Sequence, residues 1–306
     1  MKKNILFLVL LSFISVISFA QTEATETPVV KEKDYPVNAT FESGVLIDAQ
    51  TVVIPTKKTL EMVIQHKFGT IENGHSNLWG IYGSSNIRLS LNYVPAKNFQ
   101  IGAGITKRYM TTDVNAKWTV LQQTRKNKIP VSVALYGNFA IDGRNISAFE
   151  TGMVREAYTG PTLHYKFYDR YSYFSQLIVA RKFCNEFSLQ AAVSFTHYNS
   201  VGVLYDHDKV GVHVNGRIKV SPQGSIVFNY DNPLKIKQIS EQREWTNPPK
   251  PNLAFGYEIS TGTHAFQIYM ASTTSLLPQD NIMWNQNDMN NKGFALGFTI
   301  TRLWAY

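Results

Sequence analysis

The chain has one cysteine, Cys184, among its 306 residues. A lone thiol closes no internal disulfide, so a small cross-linked secreted scaffold is excluded. With no Cys-x-x-Cys-His there is also no covalent haem attachment and no thiolate cluster. Long apolar runs are equally scarce. After Ala20, no stretch approaches the roughly 20 consecutive apolar residues that a helical membrane span requires. Charged residues make up only 17% of the chain, and the basic excess, a formal net charge of +8, is scattered along it. Scattered base is not a nucleic-acid footprint, so no nucleic-acid partner is expected. No interior linker separates two cores, and the length suits one large β domain.

The aromatic content is generous, 13% of residues, and the two ends of the chain are strongly patterned. Met1-Lys2-Lys3 is a short basic segment, Ile5 to Ile17 is almost entirely apolar, and Ser18-Phe19-Ala20 is a small-x-small cleavage site. This is the order of a secretory signal peptide, which predicts export with cleavage before Gln21. At the other end, Phe294, Leu296, Phe298 and Ile300 share one strand face, and Ala295, Gly297, Thr299 and Thr301 share the other. A closing strand with this alternation, ending in Trp304 and Tyr306, suits a barrel with lipid on one side and a polar lumen on the other.

The same period of two recurs between the ends. Leu60, Met62, Ile64 and Phe68 oppose Glu61, Gln65 and Lys67, while Ile87, Leu89, Leu91 and Tyr93 oppose Arg88, Ser90 and Asn92. Phe99, Ile101, Ala103 and Ile105 alternate with Gln100, Gly102, Gly104 and Thr106. Weaker strands are expected around Asn115–Gln123 and Val131–Ile141. Another runs through Tyr171–Phe183, with an unsettled register because Arg181 shares a face with Leu177 and Val179. Further strands cover Phe187–Thr196, Val210–Val220, Ile226–Tyr230, Leu253–Ser260 and His264–Ala271.

Connections at Pro95–Asn98, Cys184–Glu186, Pro222–Gly224 and Thr261–Thr263 are short, and those at Thr70–Ser85, Asp142–Arg170, Tyr198–Asp208, Asn232–Pro251 and Ser272–Lys292 are long and polar. This predicts an all-β, antiparallel up-and-down transmembrane barrel of about twelve strands, with periplasmic turns and termini and extracellular loops. The expected organisation is a signal peptide over 1–20, a flexible lead-in with a possible mouth or plug segment over 21–55, and the barrel over 56–306. Phe41 to Pro55 reads equally as a segment packed at the barrel mouth, a partial plug or an additional strand.

The strand Leu60-Glu61-Met62-Val63-Ile64-Gln65-His66-Lys67-Phe68-Gly69, the following Leu78-Trp79-Gly80 and Ile87-Arg88-Leu89-Ser90, and the closing Gly297-Phe298-Thr299-Ile300-Thr301-Arg302 resemble the family called domain of unknown function 5777, predicted membrane barrels. The resemblance covers most of the mature chain and implies a barrel fold in the outer membrane. It brings no catalytic residues with it.

Candidate chemistry is thin. Asp206-His207-Asp208 with His213 is the densest set of metal-ligand types but lacks recognised ligand spacing, so no metal or other cofactor is expected. His66 shares the face of Ile64 and Phe68, with no Ser nearby on that face to make a nucleophilic pair. Gly102-Ala103-Gly104 lies inside a strand and is no phosphate loop. Trp245 reads as part of a structured loop. The chain reads as a non-enzyme. The functional reading with most content is the lumen, where Glu61, Lys67, Arg88, Lys117, Arg217, Lys219 and Glu258 fall on polar faces. Such residues either bias an open passage toward anions or pair and fill a narrow one. The leading expectation is a passive channel or binding barrel for small polar or anionic solutes. The alternatives are an interaction barrel with partner-binding loops and, less favoured, a lipid-modifying enzyme. Outer-membrane lipids and the barrel assembly machinery are the expected partners, with Phe298, Ile300, Trp304 and Tyr306 as the assembly signal. A charge at Val214 is expected to harm the barrel, and one at its neighbour Asn215 to be mild.

Overall fold

The computed structural model describes residues 33–150, 152–155, 164–202, 205–236 and 248–306. Residues 1–20 and Trp245, for which a signal peptide and a structured loop are expected, lie outside the described residues. Twelve strands close into an antiparallel barrel. In chain order they are β1 (Thr59–Thr70), β2 (Asn86–Ala96), β3 (Phe99–Thr106), β4 (Thr111–Leu121), β5 (Ser132–Ile141), β6 (Tyr171–Lys182), β7 (Phe187–Tyr198), β8 (Asp208–Lys219), β9 (Gly224–Leu234), β10 (Asn252–Ser260), β11 (His264–Ala271) and β12 (Ala295–Ala305). Each pairs with its neighbours in sequence, and β12 closes the ring on β1 with Ile300 opposite Ile64 and Trp304 opposite Leu60. Closure leaves no strand edge, so every strand's backbone groups are met within the sheet, as a bilayer interior demands.

Side-chain alternation assigns the faces. In β1, Thr59, Glu61, Val63, Gln65 and Lys67 are buried inward, and the intervening residues face out. Leu91, Ile105, Trp118, Phe195, Phe255 and Ile268 belong to the large apolar side chains left exposed. An apolar belt of this extent is unfavourable in water and matches a hydrocarbon surround. Among the described residues no helix is long and apolar enough to cross a membrane; the strands are the spanning elements.

The short turns after β2, β6, β8 and β10 lie at one end, where Asn98 takes the left-handed conformation that Asn tolerates in a tight turn. The opposite end carries the connections 71–85, 142–170, 199–207, 235–251 and 272–294. Two connections depart from this sorting. The link 107–110 at the long-loop end is short. The link 122–131 at the short-turn end is longer because the incoming chain docks on it: Pro36 bridges Thr124 and the Val37 N–H donates to the Gln123 carbonyl at 2.9 Å.

The lumen is filled from both ends. From the short-turn end, residues Phe41–Pro55 form a plug built on a small hairpin that pairs Val45 with Gln50 and Leu46 with Ala49. Its turn puts Ile47 at φ 59°, a conformation that is strained for a β-branched residue. The wall holds it there: the Ile47 N–H donates to Gln267 Oε1 at 2.6 Å, and its carbonyl accepts from Thr299 Oγ1 at 3.0 Å and Gln65 Nε2 at 3.3 Å. From the long-loop end, the 272–294 connection folds inward as the helix Pro278–Trp284, whose Pro is well placed in a first turn that needs no N–H.

Candidate functional site

Period-two alternation places Glu61, Lys67, Arg88, Lys117, Arg217 and Glu258 on the inner wall, each buried, with Lys219 partly exposed at the short-turn rim. They do not form one ring. Lys67 pairs with Asp48 and donates to the Ser275 carbonyl at 2.9 Å, so it touches both the plug and the inserted segment. Arg217 pairs with Glu42, and Lys117 Nζ donates to the Gly44 carbonyl at 3.0 Å. Arg88 holds Asp113 with two bonds of 2.7 and 3.1 Å, and Asn138 also donates to that carboxylate. Glu61 accepts from Gln100 at 2.7 Å and Asn92 at 3.0 Å. Glu258 accepts from Gln267 at 2.7 Å through one oxygen, while Oε1 is buried without a partner.

Glu42 and Asp48, the plug carboxylates that meet Arg217 and Lys67, were not among the residues singled out from the sequence. They stand far from their partners along the chain, and no periodicity links a plug loop to a wall strand. Their effect is to neutralise the bases that would otherwise bias an open lumen. Breaking either pair leaves a charge buried alone, an expense of about 3–5 kcal/mol, so the pairs act as latches more than as net stabilisers.

The polar lumen expected from the sequence is interrupted on one side by apolar residues. In β6 the inward residues include Phe174, Ile178 and Ala180, and with Ala134 and Tyr136 of β5 they form an apolar arc in one cluster with Phe41, Leu46, Ile47 and Val52 of the plug. This settles the register of β6: Arg181 does share the outward face with Leu177 and Val179, and the inward face mixes Ser172 and Gln176 with the apolar Phe174, Ile178 and Ala180. Asn215 is also enclosed, accepting from Gln190 Nε2 at 3.2 Å and donating to Asn229. An arginine there meets a filled interior, so the mild effect expected for Asn215→Arg gives way to an overpacked one.

The histidines separate. His207 Nδ1 bonds the Tyr198 carbonyl at 2.6 Å, Asp208 bonds His197 at 2.7 Å, and His213 points into the lumen toward Asp231 at 2.7 Å. Among the described residues no group of acids, His and Cys is arranged to hold a metal ion. His66 faces out near the long-loop end, stacked on Phe298 at 5.1 Å and edge-on to Phe68 at 4.4 Å. On β12, Phe298, Ile300 and Trp304 share the outward face with Arg302, whose guanidinium lies 5.4 Å from the Trp304 ring, and Tyr306 is exposed.

Above the plug, the long-loop mouth holds a cavity of about 280 Å³ lined by Tyr109, Tyr198, Tyr205, Trp284, Arg144 and Arg170 among others. Trp284 stands edge-on to Tyr198 at 5.2 Å and to Tyr205 at 5.3 Å. The Tyr198 hydroxyl donates to Asp280 Oδ1 at 2.6 Å, and Asp280 Oδ2 is buried without a partner. Burial lifts the Asp280 carboxyl above the ordinary range against the pull of Arg108. Arg170 donates to the carbonyls of Asp142 and Arg144 and to the Tyr165 hydroxyl, with no carboxylate at ion-pair distance among the described residues. Asp142, Asp169 and Asp280 line the same cavity, and aromatic walls with charged groups of both signs suit a small polar ligand.

Comparison with known proteins agrees with this architecture. The family model of domain of unknown function 5777, described as a membrane bound beta barrel domain, matches residues 41–304. The chain belongs to this family. The match begins at Phe41, so it takes in the plug as well as the barrel. None of the curated proteins compared matches the chain. Among solved structures, the KdgM porin is similar at 7% identity and a TM-score of 0.43, covering 81% of this chain and 99% of its own. The NanC porin is similar at 7% identity and 0.45, with the same coverage. The toluene transporter TodX of Pseudomonas putida is similar at 7% identity and 0.39, covering 83% of this chain and 91% of its own.

Proposed function

We propose that this membrane barrel admits small polar solutes at its long-loop mouth and that its own N-terminal plug gates their passage. The observation that carries the reading is the plug: Phe41–Pro55 occupies the lumen beneath the mouth cavity and takes up Lys67, Lys117 and Arg217 of the wall. Between plug, wall and inserted helix, the enclosed space near His213 and Asp231 is about 20 Å³, room for about one water. Solute transfer therefore requires the plug to yield. Arg144 is taken up by Asp142 at 2.7 Å, so Arg170, bonded to neutral oxygens, is the mouth cation that favours solutes carrying a strongly accepting group.

The reading places the barrel in the outer membrane after export and cleavage before Gln21, with the short-turn end and both termini in the periplasm. The apolar belt meets outer-membrane lipids, and the closing strand with Phe298, Ile300, Trp304 and Tyr306 engages the barrel assembly machinery. Solute binding and passage require no catalytic step.

Liposome swelling with glucose and lactate tests the gate. Vesicles carrying the full barrel are expected to swell little, and those carrying a barrel that lacks residues 40–55 to swell readily. Folding of both proteins is checked by the difference in gel migration with and without heating. Equal swelling with and without the plug would overturn the reading.

A further inference from the structure

Three neighbouring strands bring together side chains that neither the family match nor the gating role uses. Ser194 on β7, His213 on β8 and Asp231 on β9 all face inward and are nearly completely buried. Ser194 lies opposite Gly211, two residues from His213 along β8, and His213 lies directly opposite Asp231. Ser194 Oγ is 2.8 Å from His213 Nε2, and His213 Nδ1 is 2.7 Å from Asp231 Oδ1. The other oxygen of Asp231 accepts from the side-chain amides of Asn252 at 2.8 Å, Asn281 at 2.8 Å and Asn229 at 2.9 Å. A carboxylate held by three amide donors is fixed as an acceptor, so the proton between it and His213 sits on Nδ1. In the neutral ring Nε2 is then the acceptor, and the Ser194 hydroxyl donates to it.

Gly211 makes this contact sterically feasible. A Cβ at that position would stand 2.8 Å from Ser194 Oγ and 3.1 Å from His213 Nε2. It would also stand 2.8 Å from Ile282 Cδ1 of the inserted helix, which covers the pair. Gln176 on β6 is the register partner of Ser194 and lines the small enclosed space with His213 and Asp231. Phe174 flanks the His213 ring edge-on at 6.4 Å, which keeps water from that side.

We propose that Ser194, His213 and Asp231 form a nucleophilic triad that cleaves small carboxylic esters once the inserted helix lifts. Ser194 Oγ bonds to the ester carbonyl carbon while its proton passes to His213 Nε2. The carbon–oxygen bond to the alcohol breaks, and the alcohol leaves with that proton. Water then attacks the acyl-Ser194, giving its proton through His213, and the acid departs with Ser194 restored. Asp231 fixes the ring and its tautomer. This activity goes beyond the gating role and does not depend on it.

The test uses the full-length barrel in detergent with a biotinylated fluorophosphonate, located by peptide mass spectrometry. Ser194 is expected to be labelled, and Ser194→Ala to abolish the label. His213→Gln should slow labelling by roughly a hundredfold or more. Gly211→Ala should suppress it by separating the pair, and Ile282→Gly, which thins the cover, should speed it. Each variant is checked for heat-modifiable migration. An unlabelled Ser194 in folded wild type and folded Ile282→Gly would overturn the proposal. Labelling that His213→Gln leaves unchanged would overturn it as well.

Discussion

The apolar arc that seats the plug gives the sharpest perturbation. Phe41 and Leu46 are fully buried in the apolar cluster that also takes in Tyr136, Phe174 and Ile178 of the wall. Truncating a core Phe to Ala costs about 3–5 kcal/mol and a Leu about 2–5 kcal/mol. The two share neighbours, so the double change Phe41→Ala/Leu46→Ala is set at about 5 kcal/mol rather than at the full sum. The barrel's closed ladder of strands does not include these residues, so the loss falls on plug seating. At a factor of ten for about 1.4 kcal/mol, the population with the plug released rises by roughly three and a half orders of magnitude. The assay is maleimide labelling of Ser43→Cys in a Cys184→Ser background. Ser43 is buried within the plug and the native thiol is exposed. The double truncation should raise the labelling rate by that factor while the barrel still migrates as a heat-modifiable species. Equal rates in two folded barrels would refute the assignment of plug binding to this arc.

Further outcomes follow from the same geometry. Glu42→Gln removes the carboxylate that ion-pairs Arg217, leaving only the more distant Glu258, and should cost up to about 3–5 kcal/mol in urea unfolding, with much of the loss recovered when Arg217→Met is added. Val214→Arg, on the lipid face in mid-strand, should cost about 2–4 kcal/mol in vesicles, and Asn215→Arg should be no milder because the lumen is full there. Replacing Trp304 and Tyr306 with Asp should lower the yield of heat-modifiable barrel without changing export, and unchanged yield would remove the closing strand from the assembly role. Asp280 has a raised pKa in the fold, so its protonated form favours the docked helix. Protection of the 272–294 segment from proteolysis should be strongest at acid pH and decline as pH rises through that value, and Asp280→Asn should flatten the trend.

The barrel was legible in the residues because a bilayer forces every strand to separate apolar from polar at a period of two. β1 and β12 carry that signal most clearly, from Leu60 to Phe68, with Val63 and His66 as its exceptions, and from Ala295 to Thr301. β6 does not, because Phe174 and Ile178 face an apolar plug instead of water and so erase the contrast on which the reading depends. The plug itself was open to three readings, since a short hairpin pinned by wall residues such as Gln267 and Thr299 has no local pattern of its own. Inward placement of Lys67, Lys117 and Arg217 follows from strand parity. Their partners Glu42, Asp48 and Gly44 do not, because those contacts are made only when the chain threads its own barrel. The Ser194–His213–Asp231 alignment was hidden for a related reason. It depends on strand register and on a glycine at 211, and the hydroxyls of β7 carried no meaning until β8 and β9 were placed beside them.

The central claim is that the lumen is closed by Phe41–Pro55, and single-channel recording in planar bilayers tests it most directly. The inserted wild-type barrel should hold a closed baseline at low voltage, and Phe41→Ala/Leu46→Ala should show discrete openings. A wild-type barrel that conducts steadily from the moment of insertion would contradict the account.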